Sequence, residues 1–217
     1  MKILTASLLL AGTVSAPAIT SVFNFTPNLA IPDNSAVGVA DIHPITSTIG
    51  FITSVQVTLN ITGGFNGDYY VYLTSESGFS VLLNRAGLTT VDNLGYADSG
   101  LAVTFAQNAA NGDIHTYQNV VNPGGGQLTG TWQPDGRNVN PLIVTDASPR
   151  TALLDSFAGT DANETWTLFV ADRSSGGTGT LTSWSMTING FAPEPASAAL
   201  LLTAAAAILR RHRGRRR

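Results

Sequence analysis

Val55-Gln56-Val57-Thr58-Leu59-Asn60-Ile61 decides the fold of this chain, because its apolar residues fall on every second position. Alternation with a period of two turns one face of an extended strand toward a core and the other toward water. A helix would need apolar residues three and four apart. Working outward, the same alternation returns in Tyr69, Val71 and Leu73, with Tyr70, Tyr72 and Thr74 on the opposite face. It returns again in Leu101, Val103 and Phe105, in Trp166, Leu168 and Val170, and in Trp184, Met186 and Ile188. Between these runs lie Gly63-Gly64, Asn66-Gly67, Ser77-Gly78, Asn111-Gly112, Gly124-Gly125-Gly126 and Gly176-Gly177. Gly and Asn tolerate the positive φ of tight turns, so these are the strand connections. Between residues 19 and 192 there is no amphipathic helical pattern of useful length and no internal repeat. The expectation is an all-β, jelly-roll-like antiparallel β-sandwich, a single domain over 19–192. Residues 107–141, polar and Gly-rich, read as a long loop across its surface.

Charged residues make up 12% of the 217, against about 25% in an average soluble domain. There is no Cys, so neither a disulfide framework nor a thiolate metal site can form. The net charge of −3 hides an uneven distribution. Lys2 and six arginines (Arg210, Arg211, Arg213, Arg215, Arg216 and Arg217) stand at the two ends, leaving four arginines against thirteen acids between them. An acidic body without Lys is a poor nucleic-acid binder, because phosphate contacts need clustered cations. It is suited to attract cations.

The ends read as addresses. Met1-Lys2, an apolar run over 3–14 and Ser15-Ala16-Pro17-Ala18 form a signal peptide, 1–18, with cleavage expected after Ala18. Residues 193–217 open on Pro193-Glu194-Pro195, continue through an apolar helix over 196–209 and close on the arginines. At ~1.5 Å per residue that helix spans about 21 Å, short for a bilayer crossing. Its basic flank would stay cytoplasmic. This three-part tail resembles the PEP-CTERM sorting signal of Gram-negative bacteria. The resemblance implies an exosortase-type processing enzyme as partner, acting at Pro193, Glu194 and Pro195. It also implies a transient inner-membrane stage and delivery to the cell surface or extracellular matrix.

Four further places carry a second resemblance: Ile31-Pro32-Asp33-Asn34 ahead of the first strands, Asn66-Gly67-Asp68 running into 69–85, Thr165-Trp166-Thr167-Leu168-Phe169-Val170-Ala171-Asp172, and Gly179-Thr180-Leu181-Thr182-Ser183-Trp184-Ser185-Met186. Together they span about 31–190 and resemble the P domain (Homo B domain) of kexin- and furin-like proprotein convertases. Tyr69 departs from the usual Leu, Glu76 and Phe79 from the usual Pro and Thr, and Glu164 from a frequent Gly. The resemblance implies a non-catalytic jelly-roll sandwich of about eight strands.

Catalytic chemistry finds little support in the residues. His43, His115 and His212 are the only histidines, the first two in turn-like contexts, and no nucleophile elbow surrounds a serine. A glycosidase needs two carboxyls across a cleft, and Glu76 and Glu164 are the only glutamates of the body. Calcium is the best-suited ion, and no cofactor is required. Asp33, Asn34, Asp68 and Asp172 stand at strand ends where they could converge on calcium or simply cap turns. Trp166 and Trp184 read as core. Trp132, in a Gly-rich stretch, reads as exposed or as the anchor of its own loop. The functional expectation is an exported, non-enzymatic surface or matrix protein whose sandwich is a structural or interaction module. The alternatives are an exopolysaccharide-binding module using Trp132, Tyr70 and Tyr72, and an accessory to a separately encoded secreted serine protease.

Overall fold

Two β-sheets face each other across one apolar interior in the computed structural model, which describes residues 17–193. The predicted signal peptide and sorting tail lie outside the described residues, Pro17, Ala18 and Pro193 at the borders excepted. Ten strands occur in order: β1 (Ala18–Phe25), β2 (Leu29–Ile31), β3 (Val39–Pro44), β4 (Phe51–Gly63), β5 (Tyr69–Thr74), β6 (Phe79–Asn84), β7 (Leu101–Ala106), β8 (Leu128–Trp132), β9 (Thr165–Asp172) and β10 (Gly179–Phe191). Two short 3-10 segments, η1 (Ile114–Asn119) and η2 (Leu154–Phe157), accompany them. No described helix is long and apolar enough to cross a membrane.

One sheet runs β1-β10-β4-β7-β8, with β2 also paired to β10; the other runs β3-β9-β5-β6. The deciding stretch lies in the middle of β4, where Val55, Val57, Leu59 and Ile61 are at most 2% exposed. β10 pairs antiparallel with β4 from Gly179 opposite Gly63 to Phe191 opposite Phe51. The inward sides of β5, β7, β9 and β10 are the predicted ones, down to Tyr69, Phe105, Trp166 and Trp184. At ~25 cal/mol per Å² of apolar area, this shared interior is the dominant stabilising term.

Tyr69 has a specific reason to stand where the resembled family has Leu. Its hydroxyl donates to Gly63 O (2.8 Å) and occupies the space beside Gly64 and Gly179, where any added Cβ would lie 1.9 Å from it. Gly64 also has φ +63°, a conformation that strains other residues.

β1 and most of β2 precede the stretch 31–190 that carries the P-domain resemblance, and both pair with β10. Other expectations change. Ten strands replace the expected eight or so, and β8 pairs parallel to β7, so the sandwich is not wholly antiparallel. Residues 107–141 are not a surface loop: they contain η1 and β8 and bury Ile114, His115, Tyr117, Trp132 and Asp135 completely. The physical reason is that β8 buries only its two ends, Leu128 and Trp132, so it has no alternation to read. A parallel neighbour also requires a crossover, which here is the Gly-rich stretch itself.

Candidate functional site

Strand pairing gathers one set of connections at one end of the sandwich. Tyr69 lies opposite Asp172, Tyr70 opposite Asn84, Ile61 opposite Leu101 and Gly179 opposite both Gly63 and Ile31. The β2–β3, β4–β5, β6–β7 and β9–β10 connections, and the approach to β8, therefore all emerge at this loop end.

The four predicted calcium ligands are here. Asp33 Oδ1 accepts from Gly176 N (3.0 Å), Asp172 Oδ1 accepts from Ser174 N (3.1 Å), and Asn34 has φ +48°. Asp68 lies 3.7 Å from the buried Arg85 guanidinium, whose Nε donates to Gly67 O (3.0 Å). Asp172 Oδ2 is buried without a hydrogen-bond partner. Among the described residues no three His, Cys, Asp or Glu side chains are arranged to hold a metal ion. The two loops carrying Asp33 and Asp172 already use their carboxylates on backbone N–H groups, the turn-capping role set beside calcium above.

Burial pushes the Asp68 carboxyl up to about 6; the neighbouring Asp172 adds to this, Arg85 opposes it and Asp33 adds again. Burial raises Asp172 as well. A carboxyl raised on folding binds its proton more tightly in the folded state. Its contribution is therefore complete below the unfolded value near 3.8 and is lost as pH rises through about 6. The expected result is a urea midpoint that falls between about pH 4.5 and about pH 7. A midpoint that rises across that window would contradict the placement of Asp68.

A buried charge network ties the neighbouring loops together. His115 is fully buried, with Nδ1 2.8 Å from Asp135 Oδ2 and Nε2 2.9 Å from Leu88 O. Both partners are acceptors, so each ring nitrogen carries a proton and the ring is an imidazolium. Burial alone would depress its pKa; the hydrogen bond and charge of Asp135, with the Leu88 carbonyl, overcome this and raise it. Arg137 donates to Asp113 Oδ2 (2.8 Å) and Asp135 Oδ1 (3.2 Å), and to the carbonyls of Thr145 (3.0 Å) and Asp146 (2.7 Å). Arg150 binds the carbonyls of Pro134 (2.7 Å) and Asp135 (3.0 Å). His115, read from sequence only as turn-like, therefore stands in η1 and is fully buried. The missed signal was Asp113, two residues before it, and Asp135 and Arg137, separated by one residue.

His43, in β3, stacks on Phe25 (3.9 Å, 15°) and lies 2.9 Å from Asp41 Oδ2, which also accepts from Trp184 Nε1 (2.7 Å). No serine hydroxyl is bonded to either described histidine. Glu76 and Glu164 bind each other's backbone surroundings. Glu76 accepts from Thr165 N (2.8 Å), and Glu164 accepts from Ser77 N (3.1 Å) and the Ser77 hydroxyl. They lock the β5–β6 turn to the start of β9. A groove between β4, the end of β7 and η2 carries one carboxyl, Asp155, and a shallower one beside the β5–β6 turn carries Glu76 alone. Neither sets two carboxyls across a cleft.

The predicted stacking aromatics do not share a surface. Trp132 is fully buried and donates to Thr129 O (2.9 Å), so it anchors its own segment. Tyr70 and Tyr72 lie on the outer face of β5, where Tyr72 is stacked on Phe169 (4.7 Å, 15°) and flanked by Phe79 (5.3 Å) and Tyr70 (5.8 Å). A ring stacked face to face on its cross-strand neighbour stabilises the sheet and offers less open face to a sugar.

Fold and site define a loop-presenting β-sandwich in which Asp113, Asp135, Arg137, Arg150 and the buried His115 are engaged within its own structure. No protein-family model matches this chain, and no curated protein does; the P-domain and PEP-CTERM likenesses stand on the residues quoted above. In outline the chain is similar to the serine protease of Aeromonas sobria, solved alone (15% identity, TM-score 0.44) and as the complex of that protease with the chaperone ORF2 (16% identity, TM-score 0.45). The similarity covers 83% and 82% of this chain, which spans 28% of the matched chain in each case.

Proposed function

We propose that this chain is an exported, non-catalytic sandwich that acts at the cell surface or in the extracellular matrix as an interaction module. The observation that supports the reading is where the described strands lie relative to the two predicted addresses. The compact unit is Ile19–Pro193: β1 begins at the expected cleavage residue Ala18, and β10 ends at Phe191, just ahead of Pro193-Glu194-Pro195. Removal of both predicted addresses would leave every strand but the first residue of β1. Export through a signal peptide, a transient inner-membrane stage and processing by an exosortase-type enzyme follow from the two address motifs. An accessory role toward a separately encoded secreted serine protease is the form of interaction that the P-domain resemblance favours. Exopolysaccharide binding is less well supported, because Trp132 is buried and Tyr72 is stacked on Phe169.

Mass spectrometry of the protein recovered from the medium and cell surface tests the reading. The expected chain starts at Ile19 and ends close to Pro193. An intact chain retained in the cytoplasm sinks it.

A further inference from the structure

We infer that the loop end of the sandwich is a docking surface for a protein that offers an apolar patch rimmed by basic side chains. The inference rests on the reading of the domain as an exported interaction module and names the surface that does the interacting.

Eleven large apolar side chains are exposed among the described residues; six stand on connections at this one end, and Leu142 and Ile143 stand on the part of the β8–β9 connection that reaches it, where Val139 O accepts from Asn84 Nδ2 (3.0 Å) and Asp146 N donates to Leu88 O (3.0 Å). The most exposed are Val37 (83%) between β2 and β3, Val91 (94%) and Leu94 (69%) between β6 and β7, and Ile143 (73%) beside Leu142 in the segment after β8. Val120, at the end of η1, joins them. Loops reach water on several sides and are normally polar, so aliphatic tips concentrated at one end of a domain mark a contact surface. The connections at the other end carry no such set: the remaining three, Val22, Ile42 and Phe51, lie on strands.

These loops are held from beneath. Leu88 O accepts from both His115 Nε2 (2.9 Å) and Asp146 N (3.0 Å), which joins the β6–β7 connection to η1 and to the segment carrying Ile143. Asp98 accepts from the Tyr117 hydroxyl (2.8 Å), Gln118 Nε2 (2.7 Å) and Gly125 N (2.7 Å), which fixes the chain around Val120. A preorganised surface loses less conformational entropy when it binds.

Charge chooses the occupant. The exposed charges among these loops are Asp33, Asp92 and Asp146, while all four arginines of the described domain are buried or half-buried. An acidic rim is complementary to a basic partner surface and speeds its encounter. It repels an anionic bilayer.

Photo-crosslinking of the full-length chain in the cells that make it tests this, with a photoreactive phenylalanine derivative in place of Leu94, of Ile143 or, as control, of Phe51. The expected result is an adduct with one and the same other protein from positions 94 and 143 and none from position 51. Asp92→Asn, which removes the charge and keeps the oxygen that accepts from Leu94 N (3.0 Å) and Gly95 N (3.1 Å), combined with Asp146→Lys should cut its yield about tenfold while leaving the denaturation midpoint in place. Adducts with phospholipid or with a second copy of this chain overturn the inference. So do equal labelling from position 51, indifference to the charge change, or no adduct at all. The termini of the same chain are read separately, so a failure of export is distinguishable from a failure of docking.

Discussion

Asp135→Ala unfolds or severely destabilises the domain, with an expected loss of about 3–5 kcal/mol in urea denaturation. Asp135 is fully buried and answers four donors: Asn84 N (3.1 Å) and His115 Nδ1 (2.8 Å) at Oδ2, and Arg137 N (3.3 Å) and Arg137 Nη1 (3.2 Å) at Oδ1. Alanine leaves two cationic side chains in the interior with Asp113 as the one remaining carboxylate partner, and orphans a backbone N–H of β6. The cost comes from stranded charge, because the pair itself gains little over apolar packing. Asp135→Asn keeps an acceptor and a similar shape but cannot hold the imidazolium, so His115 should become neutral and the loss should be smaller. His115 has a raised folded pKa, so its contribution is present below the unfolded value near 6.5 and disappears as pH rises through the folded one. In Asp135→Asn that part of the pH dependence should vanish. A change below about 1 kcal/mol for Asp135→Ala would mean that water or another group replaces the carboxylate.

The second large effect is at Trp184. Its ring is 2% exposed, packs against Phe25 (4.4 Å) and sends Nε1 to Asp41 Oδ2 (2.7 Å). Trp184 belongs to β10 in one sheet and Asp41 to β3 in the other, so a single side chain ties the two layers. Trp184→Ala removes a large apolar volume and an intersheet hydrogen bond together, with an expected loss of about 3–5 kcal/mol. Trp184→Phe retains most of the packing and leaves Asp41 with His43 as its partner, with an expected loss of about 1–2 kcal/mol. Equal losses for the two variants would show that the hydrogen bond, and not the packing, dominates.

Strand positions were legible wherever one side of a strand faces the core and the other faces water. β4, β5, β7, β9 and β10 fit that condition, and their inward residues are the ones the alternation names. β6 fails it because both of its sides are covered. The segment after β8 lies along it, with Asp135 N donating to Leu82 O (3.0 Å) and Val81 N donating to Ala152 O (3.0 Å). β1 and β3 alternate only between exposed and half-buried residues, a contrast too weak to read, and β2, although it buries Ile31, is three residues long. The acids at the loop end could be named from their places at strand ends. The His115–Asp135 pair could not, because twenty residues and a parallel crossover separate its members.

By itself the sequence determined the class of fold, the inward faces of its principal strands and the acidity of the body. Each of these is written in local spacing or composition, where neighbours along the chain are also neighbours in space. Only the tertiary structure decided that Trp132 and His115 are buried, that Tyr72 is stacked face to face on Phe169, and that the exposed aliphatic residues stand together at one end. Those are facts about which distant segments meet, and register between strands, not order along the chain, sets them.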